Sequence, residues 1–174
     1  MVNGKDYTMD SAFNMLDVIY DDLTILDVVS WQKWVAVADG DYRDGLIYIN
    51  QEKKVFRDTK RLWAFGNLTK FVRPGFTRVE ASNPYSNLYN MKTMAFTGVN
   101  EHGDKELVLV MINRKEGKEF QLEMEGLHAY NEYEIYSTTE ERNLEQIKED
   151  SFTKDTVIEI EGSSITTIIL TEKH

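Results

Sequence analysis

The sequence contains no cysteine, only two prolines and no apolar run long enough to cross a membrane. The lack of cysteine excludes a disulfide, a thiol nucleophile and a cysteine-ligated metal. A transmembrane helix needs about 20 apolar residues, and no stretch of this chain approaches that length. Basic residues are also in deficit, with 20 Lys and Arg against 30 Asp and Glu and a net charge of −10. We therefore expect no membrane and no nucleic-acid partner. The net charge does not exclude uncharged ligands such as sugars.

The pattern of the chain changes near residue 75. Residues 1–73 read as helix, apolar strand, polar loop and helix, whereas residues 77–170 read as short strands separated by turns. Arg73-Pro74-Gly75 marks the join, because proline cannot continue a helix and glycine allows a sharp exit. The pattern predicts two domains, 1–75 and 76–174, in a chain whose 174 residues suffice for both.

The first domain begins with a predicted helix and strand. Asp10 is a favourable N-cap for an amphipathic helix over residues 11–23. The stretch Ile25–Val37 is rich in β-branched and aromatic residues, which predicts a strand that is covered on both faces or lines a barrel.

A polar loop at 39–45, a hairpin over 46–56 and a second helix over 58–71 complete this domain. The second helix is expected to turn four apolar positions inward: Leu62, Phe65, Leu68 or Thr69, and Val72. Helix, strand, loop and helix is the order of a (β/α) repeat, of which a closed barrel needs eight.

The second domain is predicted to be an antiparallel β-sandwich. Leu107–Ile112 is apolar throughout, which favours a central strand, and the other strands alternate apolar and polar residues. The predicted strands are Thr77–Ala81, Lys92–Val99, Glu106–Asn113, Glu119–Glu125, Glu132–Ser137, Thr156–Glu161 and Ser164–Thr171.

Three acids follow the predicted strand of the first domain. Glycoside cleavage needs two carboxyl groups that face each other across a pocket. Asp39, Asp41 and Asp44 lie on one loop, so a solvated turn is the simpler interpretation. A calcium loop is not expected either, because its fifth and twelfth positions would be Arg43 and Asn50.

Other cofactor and nucleophile signals are missing. The histidines, His102, His128 and His174, have no metal-ligand spacing and are expected at the surface. Because the sequence has neither a Gly-x-Ser-x-Gly elbow nor a phosphate-binding glycine loop, we expect no cofactor and no bound metal.

Aromatic residues offer two possible sugar platforms. Trp31, near the end of the predicted strand, could stack on a sugar ring or could pack in a barrel core, and Trp34 is the weaker candidate. The second domain has five tyrosines that could form a platform or pack at its edge: Tyr85, Tyr89, Tyr130, Tyr133 and Tyr136.

Short motifs in consistent order and spacing carry a family resemblance. They are Met9-Asp10-Ser11-Ala12-Phe13, Asp22-Leu23-Thr24, Ser30-Trp31-Gln32-Lys33-Trp34, Asp41–Tyr48 and Leu62–Gly75. With them, the chain resembles the C-terminal third of glycoside hydrolase family 30, and most of all its endo-β-1,6-galactanase-like branch. The resemblance is sharp over residues 9–80 and looser over 90–171, where the Arg142-Asn143-Leu144 region contributes to it.

This resemblance implies a (β/α)₈ barrel with an attached β-sandwich. Residues 11–23 would be the seventh barrel helix, 28–36 the eighth strand and 60–71 the eighth helix. Both catalytic glutamates of the family would precede Met1. Trp31 matches a tryptophan that borders the sugar pocket.

The sequence thus predicts a mixed, mainly β fold: the last β/α unit of a TIM-type barrel followed by an antiparallel β-sandwich. Its function would be that of a C-terminal fragment of a retaining glycosidase for β-linked polysaccharide, inactive alone. Substrate binding is expected at Trp31, Gln32 and Tyr42. The alternative is a non-catalytic carbohydrate-binding or purely structural sandwich.

Two further expectations concern partners and location. An eighth strand without neighbours leaves its edges unpaired, so the incomplete barrel segment is a candidate for self-association. The other expected partner is an oligosaccharide or polysaccharide, and we expect the parent protein to be exported to the periplasm or the extracellular space.

Overall fold

The computed structural model describes residues 4–85, 91–123 and 129–173. Tyr89, His128 and His174, which were considered above, lie outside these residues. The chain is mainly β and divides into two compact units, Met1–Phe65 and Gly66–His174. Neither of the two helices in the described parts has the length and hydropathy of a membrane-spanning segment.

The first unit begins with α1 (Met9–Thr24), which confirms the predicted first helix. Its N-cap is Thr8 rather than Asp10, because the hydroxyl of Thr8 accepts a hydrogen bond from the Ser11 N–H at 3.4 Å. The Asp6 carboxylate orients Thr8 by accepting from both its N–H and its hydroxyl. The amphipathic pattern is as expected, with a buried face of Met9, Ala12, Phe13, Met15, Leu16 and Ile19.

The predicted strand over Ile25–Val37 is wrong. Only its end is a strand, β1 (Val37–Ala38), which pairs in parallel with β2 (Ile47–Asn50). The antiparallel hairpin of β2 with β3 (Val55–Asp58) confirms the hairpin prediction. β-Propensity requires a neighbouring strand and a surface to pack on, and the stretch 25–36 has no assigned ladder partner among the described residues.

The second helix, α2 (Lys60–Thr69), is where predicted, but its buried face differs. Leu68 is buried as expected, and Ala64 lies with it. The other two buried side chains are polar, Arg61 and Asn67. Periodicity assigns polar residues to solvent, so it misses a helix face on which they are buried and hydrogen-bonded.

The second unit contains a six-stranded antiparallel sheet in the order β4-β5-β6-β11-β8-β9 and a separate antiparallel pair, β7 with β10. The strands are β4 (Thr77–Val79), β5 (Lys92–Val99), β6 (Lys105–Asn113), β7 (Lys118–Gln121), β8 (Glu132–Thr138), β9 (Glu145–Ser151), β10 (Val157–Ile160) and β11 (Ser164–Glu172).

All seven predicted strands of this unit are present. β9 was not predicted, because every one of its residues is exposed and most are polar, so it has no apolar alternation. It lies at an edge of the sheet, where charged side chains discourage pairing with other chains.

The large sheet of the second unit is buried on both faces at its centre, because Leu109 and Val110, adjacent residues of β6 that point to opposite faces, are both buried. β6 is buried over most of its length, which confirms the predicted central strand. Together with Ile158 and Ile160 of β10, residues of four other strands and two loops form one hydrophobic cluster: Met91, Ala95, Leu107, Leu109, Met111, Tyr133, Ile135, Phe152, Ile168 and Leu170.

Candidate functional site

Trp31, the principal candidate, is partly buried in the first unit. Its indole N–H donates a 2.9 Å hydrogen bond to the Asp22 carboxylate near the end of α1. Its ring packs against Phe65 of α2, with ring centroids 5.6 Å apart. Trp31 is therefore held between the two helices by one polar and one aromatic contact, and part of its surface stays open.

Of the next three residues of this segment, two are exposed and one is partly buried like Trp31. Gln32 is exposed, and Trp34 is 81% exposed. Lys33 is partly buried, and this burial lowers the pKa of its ammonium group, with Arg61 adding to the effect and Asp44 opposing it. The chain thus alternates between half-buried and exposed side chains here, without the covered faces of a barrel strand.

Apolar exposure is concentrated just around these residues. Val29 is fully exposed and Ile25 is 71% exposed. We call residues 25–37 the apolar segment; its exposed large side chains are Ile25, Leu26, Val29, Trp34 and Val37.

Tyr42 lies in the predicted polar loop, residues 39–45, where the structure also has a loop. Its backbone carbonyl accepts a 2.7 Å hydrogen bond from the Tyr48 hydroxyl on β2. Its ring lies so close to Gly40 that a side chain at residue 40 would overlap it. Tyr42 is therefore partly buried in a loop that is bonded to β2, whereas Trp31 contacts the two helices.

Arg61 is the residue that sequence reasoning missed. Only 5% of its surface is exposed. One terminal nitrogen lies within hydrogen-bonding distance of three acceptors, the carbonyls of Gly45 and Asp6 and the Tyr48 hydroxyl, at 2.8, 3.1 and 3.1 Å. A single guanidinium thus ties α2 to the end of the polar loop and to the segment before α1. The only sequence signal was an arginine in the first turn of a helix whose apolar face was assigned elsewhere.

The Asp6 carboxylate adds charge to this network. Burial alone would raise its pKa, but the hydrogen bonds from Thr8 and the charges of Arg61 and Arg43 lower it. Arg43, in the polar loop, lies 3.9 Å from this carboxylate. The loop that carries Tyr42 is accordingly held at three points by side chains of other elements.

The acids of the loop lie at its surface. Asp39 and Asp41 are exposed, and Asp44 is partly buried. No group of three or more His, Asp or Glu that could hold a metal ion occurs within residues 4–85, 91–123 and 129–173.

The tyrosines of the second unit do not form one platform. Tyr133 is a core residue that packs on Phe152, and Tyr85 and Tyr130 pack partly buried against the same core. The rings of these three tyrosines pack against the core, which favours the packing interpretation over a platform. His102 lies exposed in the turn after Asn100, as expected.

Tyr136 is partly covered by other side chains. Its ring packs on Phe71 at 4.6 Å, and the Lys70 ammonium lies 4.6 Å from its centroid. Burial, the hydrogen bond to Glu134 and the charge of Glu149 raise the pKa of its hydroxyl. A sugar would have to displace Lys70 to stack on this face.

Comparison with known protein families gives a match over part of the chain. The family model described as O-Glycosyl hydrolase family 30 matches residues 2–48, less than a third of the sequence. This range contains α1, the apolar segment, the polar loop and the first residues of β2.

Solved structures share the fold of nearly the whole chain. A GH30 endoxylanase from Clostridium papyrosolvens is 23% identical, with a TM-score of 0.72 over 98% of this chain and 41% of that one. The subfamily 8 xylanase Xyn30A from Clostridium acetobutylicum is 20% identical, with a TM-score of 0.75 over 96% of this chain and 41% of that one. A conserved exported protein from Bacteroides fragilis is 24% identical, with a TM-score of 0.70 over 92% of this chain and 33% of that one.

These likenesses show a shared fold, and the family model and two of the three structures agree on family 30. The chain spans less than half the length of each of these structures. Its mainly β second unit is part of what is shared, since the matches extend over almost all of the chain.

Proposed function

We propose that this chain is the C-terminal portion of a retaining O-glycosyl hydrolase of family 30 that acts on a β-linked polysaccharide. The observation that carries the proposal is the combination of a family-30 match over residues 2–48 with a family-30 fold over 98% of the chain. In this proposal the chain supplies the last β/α unit of the barrel and a β-sandwich side domain, divided near residue 75.

Three features of the first unit support this role. Its elements follow the order helix (α1), strand (β1), loop, hairpin (β2 and β3) and helix (α2). The first pair of its three-stranded sheet, β1 with β2, is parallel, and parallel pairing is typical of β/α proteins. The apolar segment lies exposed directly before β1, as expected of a surface that further polypeptide covers in a longer enzyme.

The chain alone is proposed to be inactive. A retaining glycosidase needs two carboxyl groups about 5 Å apart on either side of the scissile bond. The loop acids Asp39 and Asp41 are exposed to solvent, and no described contact joins them across a pocket. In the proposed enzyme, both catalytic glutamates belong to polypeptide outside this chain.

The substrate class is a neutral or weakly charged β-linked polysaccharide. The short motifs favour the endo-β-1,6-galactanase-like branch, whereas two of the similar structures are xylanases by title. Trp31, Gln32 and Tyr42 are proposed to contact the sugar. The partly open indole of Trp31 is suited to stacking, and the loop that presents Tyr42 is held in place by Arg61, Tyr48 and Asp6.

Two assays on the isolated chain test the proposal. Incubation with β-1,6-galactan and with xylan should release no reducing sugar above the blank, with the Clostridium papyrosolvens endoxylanase as positive control on xylan. Sustained release by the chain would contradict the placement of the catalytic acids.

Binding is tested by titration with galacto- and xylo-oligosaccharides. Tryptophan emission should change on binding, and the change should be lost in Trp31→Phe and kept in the matched variant Trp34→Phe. A response that depends on Trp34 alone would refute the assignment of Trp31.

A further inference from the structure

The polar loop contains both Asp-Gly steps of the sequence, Asp39-Gly40 and Asp44-Gly45. Such a step can close a five-membered ring, because glycine has no side chain to shield its backbone nitrogen. This nitrogen attacks the side-chain carboxyl carbon, and a water molecule leaves to give a succinimide. Water then adds to the original backbone carbonyl and breaks its bond to the nitrogen. The product is isoaspartate, in which the chain runs through the side-chain carbonyl and the mass is unchanged.

Asp39 has the access that this reaction needs. Its side chain is exposed, directly after the end of β1. Within residues 4–85, 91–123 and 129–173, its carboxylate forms no hydrogen bond or ion pair, and the Gly40 N–H donates to no backbone carbonyl. Bringing the carboxyl carbon of Asp39 to the nitrogen of Gly40 therefore breaks no hydrogen bond of the described chain.

Asp44 has the same neighbour in sequence but a different environment. Gly45 is buried, and its carbonyl accepts the 2.8 Å hydrogen bond from Arg61. A side-chain atom at residue 45 would overlap the Tyr48 ring and Ala38, so the backbone is packed closely here. Ring closure at Asp44 would turn this peptide out of its packing, and it therefore requires local opening of the loop.

The packing of the loop also explains why residue 40 is a glycine. A Cβ atom there would lie 2.6 Å from the Tyr42 ring, so a larger residue, which would suppress the reaction, does not fit without a shift of that ring. Isoaspartate at residue 39 would add one main-chain atom between β1 and Gly40. The modification would thus move Gly40 relative to the ring that packs on it.

We propose that Asp39 is a site of spontaneous isoaspartate formation in the folded chain, and that the fold protects Asp44 from the same reaction. The proposal does not rest on the proposed function, because it uses only the exposure, the hydrogen bonds and the packing of the polar loop. The reactants are the aspartyl side chain, the next backbone nitrogen and water.

Peptide mapping of the aged chain tests the proposal, because trypsin cleaves after Lys33, Arg43 and Lys53 and places the two steps in different peptides. The native chain is kept for several weeks at neutral pH and physiological temperature, then denatured and digested. Peptide 34–43 should gain a second peak of unchanged mass that an isoaspartyl methyltransferase labels. Peptide 44–53 should do so at least about tenfold more slowly, the factor that a local opening costing ~1.4 kcal/mol imposes.

Matched variants and a denatured sample serve as controls. Asp39→Glu keeps the charge but lengthens the side chain, which disfavours ring closure, so peptide 34–43 should stay a single peak. Asp44→Glu should leave the reaction of peptide 34–43 unchanged. In guanidinium chloride the two peptides should react at similar rates, because the protection of Asp44 depends on the fold. Asn3-Gly4, which reacts with loss of ammonia, lies in the first tryptic peptide and does not interfere.

A peptide 34–43 that stays a single peak in the folded chain would overturn the proposal, whether or not it isomerises in guanidinium chloride. Equal rates for the two peptides in the folded chain would overturn it as well, because the loop would then give Asp44 no protection.

Discussion

Replacing Asn67 with alanine should destabilise the second unit markedly. Asn67 is fully buried at the C-terminal end of α2. Its side-chain nitrogen donates to the Thr138 hydroxyl at 2.6 Å. The Thr167 hydroxyl shares its one proton between the backbone carbonyl of Asn67, at 2.6 Å, and the side-chain oxygen of Asn67, at 3.0 Å. Asn67 thereby bonds α2 to two neighbouring strands, β8 and β11.

The magnitude follows from the bonds that the substitution removes. Asn67→Ala eliminates two side-chain hydrogen bonds, each worth a net ~0.5–1.5 kcal/mol. The vacated volume adds roughly 1 kcal/mol. Thr138 keeps its bond from the Leu144 N–H, and Thr167 keeps its bond to the carbonyl of residue 67, which limits the loss. We expect the free energy of unfolding to fall by about 2–4 kcal/mol.

Urea unfolding followed by far-UV circular dichroism measures this change. All three tryptophans lie in the first unit, so tryptophan emission separately reports on that unit. The urea midpoint should fall by roughly 1–2 M. Gln146→Ala, which removes an amide from the exposed strand β9, is the matched control and should change stability by less than about 0.5 kcal/mol.

A double-mutant cycle isolates the contact itself. Asn67→Ala and Thr167→Val should show a coupling energy of about 0.5–1.5 kcal/mol. A loss for Asn67→Ala no larger than that for Gln146→Ala, or a coupling energy near zero, would refute the reasoning.

Three further predictions concern other contacts. Arg61→Met should lower the free energy of unfolding of the first unit by about 2–4 kcal/mol, because buried oxygens lose their donor, and the exposed Arg43→Met should not; tryptophan emission in urea distinguishes them. Gly98→Ala should cost about 1–3 kcal/mol in thermal unfolding, since its methyl group would overlap the Phe76 ring, and Gly98→Ala in a Phe76→Ala background should cost less. Burial, reinforced by Glu134 and Asp104 and opposed by Asn100, raises the pKa of Glu106, so its favourable contribution is present below about pH 4 and is lost as the pH rises. Glu106→Gln should therefore be more stable than the native chain at pH 7 and equal to it at pH 3 in urea titrations, and a gain that is the same at both values would disprove this assignment.

The strands in which apolar and polar residues alternate could be predicted, because the alternation shows which side chains are buried. Lys92–Val99 is correct to the residue, and Lys105–Asn113 and Ser164–Glu172 to within one. β9 could not be predicted, because an exposed edge strand needs no apolar residues. Ile25–Val37 was assigned wrongly for the opposite reason: its composition suits a strand, but a strand also needs a partner.

Hydrophobic periodicity also could not predict the buried polar side chains of α2. Arg61 and Asn67 look like solvent-facing residues of α2 until their acceptors and donors, distant in sequence, are known. The choice of Thr8 over Asp10 as N-cap depends on hydrogen bonds from Asp6, a local detail that residue preference alone does not decide. For the candidate site, the motifs pointed to Trp31, whereas its bond to Asp22 and its contact with Phe65 came only from the structure.

The central proposal is that this chain completes a family-30 glycosidase whose catalytic acids lie in other polypeptide. A chimera tests it most directly: the part of the Clostridium papyrosolvens endoxylanase that matches this chain is replaced by residues 4–173, and xylan hydrolysis is measured. The account predicts that the chimera releases reducing sugar while the isolated chain releases none. A chimera that is folded by circular dichroism yet inactive, or an isolated chain that hydrolyses the polysaccharide, would contradict it.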